Sequence, residues 1–210
     1  MSSHAARFAR RPSRARARRK RLALLALAVV GGALAAGVIA GTDPIEDAVR
    51  EITLPLQHED IIRQQADDKE IDPALIAAVI YEESRFHDQT SHAGARGLMQ
   101  ITPDTADFIA RRSGGVLFEQ SDLSTPQINI AYGAWYLRYL IDHYEGNETL
   151  AIAAYNAGLA NVDRWVDRAG GPGQFDSARH IPFPETRAYV ENVQERRGQY
   201  RDKYGAELGL

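Results

Sequence analysis

Two kinds of hydrophobic patterning divide the chain. Residues 22–41, LALLALAVVGGALAAGVIAG, contain no charge and no strongly polar side chain, and about 20 such residues at ~1.5 Å rise match the hydrocarbon core of a bilayer. From residue 57 onward the apolar positions recur at helical spacing, and the pattern predicts helices separated by Gly and Pro breakers. A first helix is predicted over about Gln57–Lys69, with Ile61 and Ile62 facing inward. Asp72-Pro73 is a helix-start signal, an N-cap followed by proline where a missing N–H costs nothing. Between Ala74 and Tyr81 there is no strongly polar side chain, the pattern of a helix buried on all sides.

Thr102-Pro103 opens another helix to about Arg112, which Ser113-Gly114-Gly115 ends, and Ser124-Thr125-Pro126 opens a long one, PQINIAYGAWYLRYLIDHYEG. Its apolar positions include Ile130, Trp135, Leu137 and Ile141, and Trp135 with most of the other aromatics reads as core packing. Gly133 inside it costs about 1 kcal/mol against Ala and points to a close helix contact. A short helix over Glu148–Gly158, another around Val162–Arg168, a Gly- and Pro-rich surface loop over Ala169–Pro184 and a final helix over about Glu185–Tyr204 complete the pattern.

The buried helix ends in Glu82-Glu83-Ser84-Arg85. A carboxyl at the C-terminal end of a buried helix holds its proton for two reasons: desolvation disfavours the charged form, and the negative end of the helix dipole repels it. A glutamate protonated near neutral pH is a general acid. Ile76, Ile80 and Glu83 form one helical stripe, and Leu75, Val79 and Glu82 form another. Phase alone therefore leaves both glutamates open.

The stretch resembles the catalytic domain of soluble lytic transglycosylases, lysozyme-like enzymes that cut peptidoglycan. The resemblance rests on Glu83-Ser84, Phe86, Ser91, Gly94-Ala95, Gly97-Leu98-Met99-Gln100, Pro103 and Thr105-Ala106. It continues through Pro126, Asn129, Ile130, Gly133, Tyr136 and Leu137, then Tyr155-Asn156-Ala157-Gly158, then Glu185-Thr186 with Tyr189-Val190. Four motifs in the same order span roughly residues 58–195. The resemblance implies an all-α, lysozyme-like single domain of about six to eight helices, preceded by one N-terminal hydrophobic segment. It assigns the acid to Glu83, sets Ser84 and Ser91 beside it as hydrogen-bonding neighbours, and gives Met99, Gln100, Tyr155 and Asn156 to the glycan groove. Glu185 and Tyr189 are further substrate-binding candidates.

Charge changes the picture at the N-terminus. Nine of the 25 basic residues lie between Arg7 and Arg21 with no acid before Asp43, leaving 16 basic against 28 acidic residues and a net of −12 for the remainder. An acidic body excludes nucleic acid as the expected partner. Cations before an apolar span predict the N-terminus inside and the domain outside. The resulting division is a basic cytoplasmic tail (1–21), a transmembrane anchor or, alternatively, a cleaved signal peptide (22–41), a linker (42–56) and a lysozyme-like domain (57–210), on the extracytoplasmic face of the cell envelope. With no cysteine, thiolate metal sites, cysteine nucleophiles and disulfides are excluded. None of the six histidines is paired at metal-ligand spacing, and neither a metal nor a cofactor is expected.

The resemblance implies a mechanism as well. Glu83 protonates the oxygen leaving N-acetylmuramic acid, the 2-acetamido group of that sugar supports C1, and its 6-hydroxyl then attacks to give a 1,6-anhydro product. The implied partners are peptidoglycan glycan strands, the membrane through residues 22–41, and unidentified proteins of the envelope machinery. Two other readings are a hydrolase on the same fold, resembling goose-type lysozyme, and a non-catalytic peptidoglycan-binding scaffold.

Overall fold

Local signals set where each helix begins. The structure, a computed structural model, describes residues 53–114 and 117–210. The basic tail, the apolar span and most of the linker lie outside the described residues. Eight α-helices are present among them: α1 (Glu59–Lys69), α2 (Pro73–Ser84), α3 (Pro103–Ser113), α4 (Pro126–His143), α5 (Glu148–Ala157), α6 (Leu159–Ala169), α7 (Ser177–His180) and α8 (Pro184–Leu208). No strand occurs among the described residues, only isolated antiparallel bridges pairing Thr90 with Arg96 and Arg96 with Ile101. The fold is all-α.

The Asp72 carboxylate accepts from the Ala74 backbone N–H at 3.0 Å, so α2 starts where its cap signal lies. Thr102 caps α3 in the same way by accepting from Thr105 N–H, and Asn147 caps α5 by accepting from Leu150 N–H. The first helix starts at Glu59, two residues later than the pattern predicts. The final helix runs on past Tyr204 to Leu208, with a kink at Tyr204. The loop predicted over 169–184 contains a 3-10 turn (Pro172–Gln174) and the single-turn α7.

Helix α2 is the centre of the core. Leu75, Ile76, Val79 and Ile80 are fully buried, each contributing about 2 kcal/mol by removal from water. Its most extensive partner is α8. Arg197 and Arg201 of α8 clamp the α2 cap Asp72, and Arg197 also reaches Glu148 of α5 at 2.5 Å. Leu54–Leu56, assigned to the linker from sequence, belong to the same compact unit, Leu54–Leu210. Leu54 is buried, and its carbonyl and that of Pro55 accept from the Tyr204 and Tyr200 hydroxyls at 2.8 and 2.6 Å.

Gly133 on α4 is where the loop before α3 presses against that helix. A Cβ there would lie 2.2 Å from the Met99 Sδ, so only glycine admits the loop before α3. Gly97 is similar: at φ 74° its missing Cβ would stand 2.1 Å from Asn129 Nδ2.

Candidate active site

Residues 85–101 form the loop that follows α2. Arg85 and Phe86 both adopt left-handed backbone conformations, φ 52° and 62°, a strained reversal for residues with side chains. Burial of the Phe86 ring, packed against Tyr200 at 6.2 Å, offsets it. The chain thus leaves α2 abruptly and exposes its C-terminal end, where Glu83 sits.

The two adjacent glutamates meet different parts of α8. Glu82, with a side chain only 9% exposed, is paired with Arg196 at 3.4 Å and accepts from Asn192 Nδ2 at 3.3 Å. Arg196 also lies over the Tyr81 ring, 4.8 Å from its centroid. Glu83 has no cationic partner among the described salt bridges. Its Oε1 accepts instead from the Tyr189 hydroxyl at 2.7 Å. Burial pushes the Glu83 carboxyl up from the ordinary 4.5 to about 7; the Tyr189 hydrogen bond opposes this, and the neighbouring Glu82 charge adds to it. Burial and the nearby Glu83 charge hold the Tyr189 and Tyr155 hydroxyls well above the ordinary phenol range, so both stay neutral.

Tyr155 closes the other side, at the C-terminal end of α5. Its hydroxyl donates to the Met99 carbonyl at 2.9 Å, joining α5 to the loop. Asn156, next in sequence and exposed, accepts from the buried Thr186 hydroxyl at 2.8 Å, joining α5 to α8. Gln100 holds the loop by donating from Nε2 to the carbonyls of Gln89 (3.0 Å) and Gly97 (2.8 Å). Gln89 in turn donates to the Glu83 backbone carbonyl at 3.4 Å, one of the otherwise unpaired carbonyls of the helix end.

Glu83, Tyr189, Tyr155 and the Met99–Gln100 backbone thus form one linked set. Other sequence candidates are placed differently. The Ser84 hydroxyl is buried and donates to the Ile80 carbonyl at 3.2 Å. Met99 is fully buried, its side chain against Gly133. The substrate contacts expected of these two side chains are not open in this geometry, because helix packing has taken both. Ser91 Oγ accepts from the Ala95 N–H at 3.1 Å and shapes the loop. Glu185 is exposed in the first turn of α8, one turn before Tyr189 and on the same face.

Sequence reasoning missed Asn129 as a site support. Fully buried in α4, it accepts from Met99 N–H at 2.8 Å and donates to the carbonyls of Arg96 (2.9 Å) and Leu123 (3.0 Å). The signal was a lone amide between two isoleucines, Ile128 and Ile130. Thr186, Gln89 and the Arg196–Asn192 pair were missed too, since single polar residues on a charged helix or loop give no pattern. Among the described residues no group of three or more His, Asp or Glu side chains could hold a metal ion.

The chain has counterparts among known proteins. Residues 60–177 match the family model described as the transglycosylase SLT domain. The soluble lytic murein transglycosylase of Salmonella typhimurium is 33% identical over 171 residues, covering 76% of this chain and 25% of that protein. The membrane-bound lytic murein transglycosylase F of Alcanivorax borkumensis is 34% identical over 152 residues, covering 67% and 30%. The chain thus spans about a quarter to a third of these relatives. The X-ray structure of an inactive Glu-to-Gln mutant of lytic transglycosylase Slt from Pseudomonas aeruginosa superposes with a TM-score of 0.67 at 34% identity, covering 75% of this chain and 26% of that one. With the family model matching more than half of its length and its helical fold shared at that identity, the chain belongs to the transglycosylase SLT domain family, of the lysozyme-like superfamily.

Proposed function

We propose that the chain is a peptidoglycan lytic transglycosylase with Glu83 as its acid and then its base. The observation that carries this reading is the Glu83 carboxyl itself, desolvated, without a cationic partner among the described residues and raised to about 7, beside the Tyr189 hydroxyl at 2.7 Å. Half of such carboxyls hold a proton at neutral pH, which suits an acid that must also act as base. Because Tyr189 donates to Oε1, the acidic proton resides on Oε2 and is free to leave.

In the proposed reaction Oε2–H passes its proton to O4 of the departing N-acetylglucosamine as the C1–O4 bond of N-acetylmuramic acid breaks. The acetamido oxygen of the same sugar bonds C1. Glu83, now a carboxylate, takes the proton of the 6-hydroxyl; O6 bonds C1 and the acetamido oxygen departs, leaving a 1,6-anhydro sugar and a protonated Glu83. Substrate assistance is favoured by the state of Glu82, which is committed to Arg196 and Asn192 and is not free to serve as the second carboxylate of a two-acid mechanism. Tyr155, Asn156, Gln100 and Glu185 are proposed as groove contacts, and Ser84, Ser91 and Met99 as residues that shape the groove from within. That the Pseudomonas relative has an inactive Glu-to-Gln form supports a glutamate in this role.

Residues 22–41 are proposed as the anchor that holds the domain at the outer face of the bacterial cytoplasmic membrane, with a cleaved signal as the alternative; one relative is named membrane-bound. Among the described residues no helix is long and apolar enough to cross a membrane. The deciding experiment is mass spectrometry of muropeptides released from purified peptidoglycan. Anhydro-muramyl ends are expected. Products heavier by one water would assign the chain to hydrolases, and no release would overturn the enzymatic reading.

A further inference from the structure

Glu82 stands directly before the proposed acid, in the last turn of α2, and takes no part in the proposed reaction. A carboxylate whose side chain is only 9% exposed is held there at a cost in desolvation. Its surroundings are particular. Arg196 donates to Glu82 Oε1 at 3.4 Å and to Gln199 Oε1 at 2.6 Å, while its guanidinium lies over the Tyr81 ring, 4.8 Å from the centroid. Arg85 covers the same ring at 4.4 Å, and Tyr200 meets it edge-on at 6.3 Å. The guanidinium is therefore held by a ring and an amide as well as by the carboxylate. It meets Glu82 at a separation longer than the 2.7–2.9 Å of a close charge-assisted bond, so the two charges offset each other incompletely.

The titratable and charged groups around Glu83 come from four places. Helix α2 supplies Glu82, and α8 supplies the Tyr189 hydroxyl, the exposed Glu185 one turn earlier, and Arg196 beyond Glu82. Helix α5 supplies the Tyr155 hydroxyl, and the loop after α2 carries Arg85, His87 and Asp88, all exposed. Burial raises the Glu83 carboxyl most, the Tyr189 bond opposes it, and Glu82 is the charge that adds to it. The Tyr200 hydroxyl, raised mainly by burial, registers the two charges of the pair in opposite senses, Arg196 lowering it and Glu82 raising it. We propose that Glu82 and Arg196 are a positioning pair for the acid: an anion one residue away, partly offset by the guanidinium behind it, that keeps the proton on Glu83 at neutral pH. The inference rests on the proposed reading of Glu83 and deepens it, because the balance of this pair then sets the pH range in which the acid works.

Substitutions in the full chain test the pair through the alkaline limb of the kcat/KM profile on peptidoglycan, which a role in packing alone does not move. Glu82→Gln keeps an acceptor for Asn192 but removes the anion and leaves Arg196 unopposed, so the limb is expected to move down by about half a pH unit. Arg196→Met keeps cover on the Tyr81 ring and leaves the Glu82 charge unopposed, so the limb is expected to move up by a similar amount. Arg196→Gln makes the same prediction where methionine disrupts α8. The double variant removes both charges, and its limb is expected to return to that of wild type. Movement of the two single variants in the same direction, or no movement in either one, overturns the pair. Titration of the glutamate carboxyl carbons by NMR, with Glu83→Gln identifying the Glu83 signal, separates this from failure of the enzymatic reading. Opposite displacements of the Glu83 midpoint sustain the pair even where no product is released. A midpoint that stays in place in both single variants overturns it even where turnover is intact.

Discussion

Glu83→Gln separates the consequence of burying this carboxyl from its chemistry. The group is raised from 4.5 to about 7, so the folded chain holds the proton more tightly than the unfolded chain across that window. Stability therefore falls as pH rises from about 4.5 to about 7, and the whole penalty is present above it. At about 1.36 kcal/mol per pH unit the penalty is about 3 kcal/mol. Glutamine has no charge to desolvate, and its carbonyl oxygen still accepts from Tyr189. The variant is expected to be more stable than wild type by about 3 kcal/mol at pH 8, roughly 6–12 °C in Tm for a domain of this size, and equal to it near pH 4. Thermal unfolding followed by circular dichroism at the two pH values measures the difference, and turnover on peptidoglycan is expected to be lost at both. An equal Tm difference at both pH values would refute the electrostatic argument, because a pH-independent gain can come only from packing.

Tyr189→Phe removes the hydrogen bond that holds the Glu83 carboxyl down, so the alkaline limb of the kcat/KM profile should move up by about one pH unit; a limb that stays in place or moves down would show that the hydroxyl does not act on Glu83. Asn129→Leu keeps the volume but strands the Met99 N–H and takes a donor from the Leu123 carbonyl, while the Arg96 carbonyl keeps the Ile101 N–H. Urea unfolding should report a loss of about 3 kcal/mol, with kcat/KM reduced because the Met99 carbonyl locates Tyr155; a loss below about 1 kcal/mol would mean that these groups find other partners.

What could be read from the sequence and what could not divides by distance along the chain. Helix starts were legible because caps act within three residues, as Asp72 with Pro73 and Thr102 with Pro103 demonstrate. The solvent face of a helix was less so. Tyr136 and Tyr139 follow an apolar spacing that cannot distinguish a core from a cleft wall, and half-burial emerges only when α3 and α6 leave a cleft beside them. Met99 is the reverse case, a candidate contact drawn inward because Gly133, 34 positions on, leaves room for its sulfur.

The pair Glu82-Glu83 is where local reasoning ends and tertiary structure begins. Both extend apolar stripes of α2 and both share the end of its dipole, so nothing within ten residues separates an acid from an ordinary anion. The separation comes from α8. Tyr189 lies 106 positions from Glu83 and Arg196 lies 114 from Glu82, yet they are two turns apart on one face of the same helix. The upper turn offers a neutral donor and the lower one a cation, so packing α8 on α2 raises one carboxyl and neutralises its neighbour. A rotation of α8 that exchanged these partners would pair Glu83 with a guanidinium, hold it ionised at neutral pH and remove the proton that the proposed reaction must deliver. The chemistry of the site is therefore a property of helix register, and the acid is identified as much by the pairing of Glu82 as by the burial of Glu83.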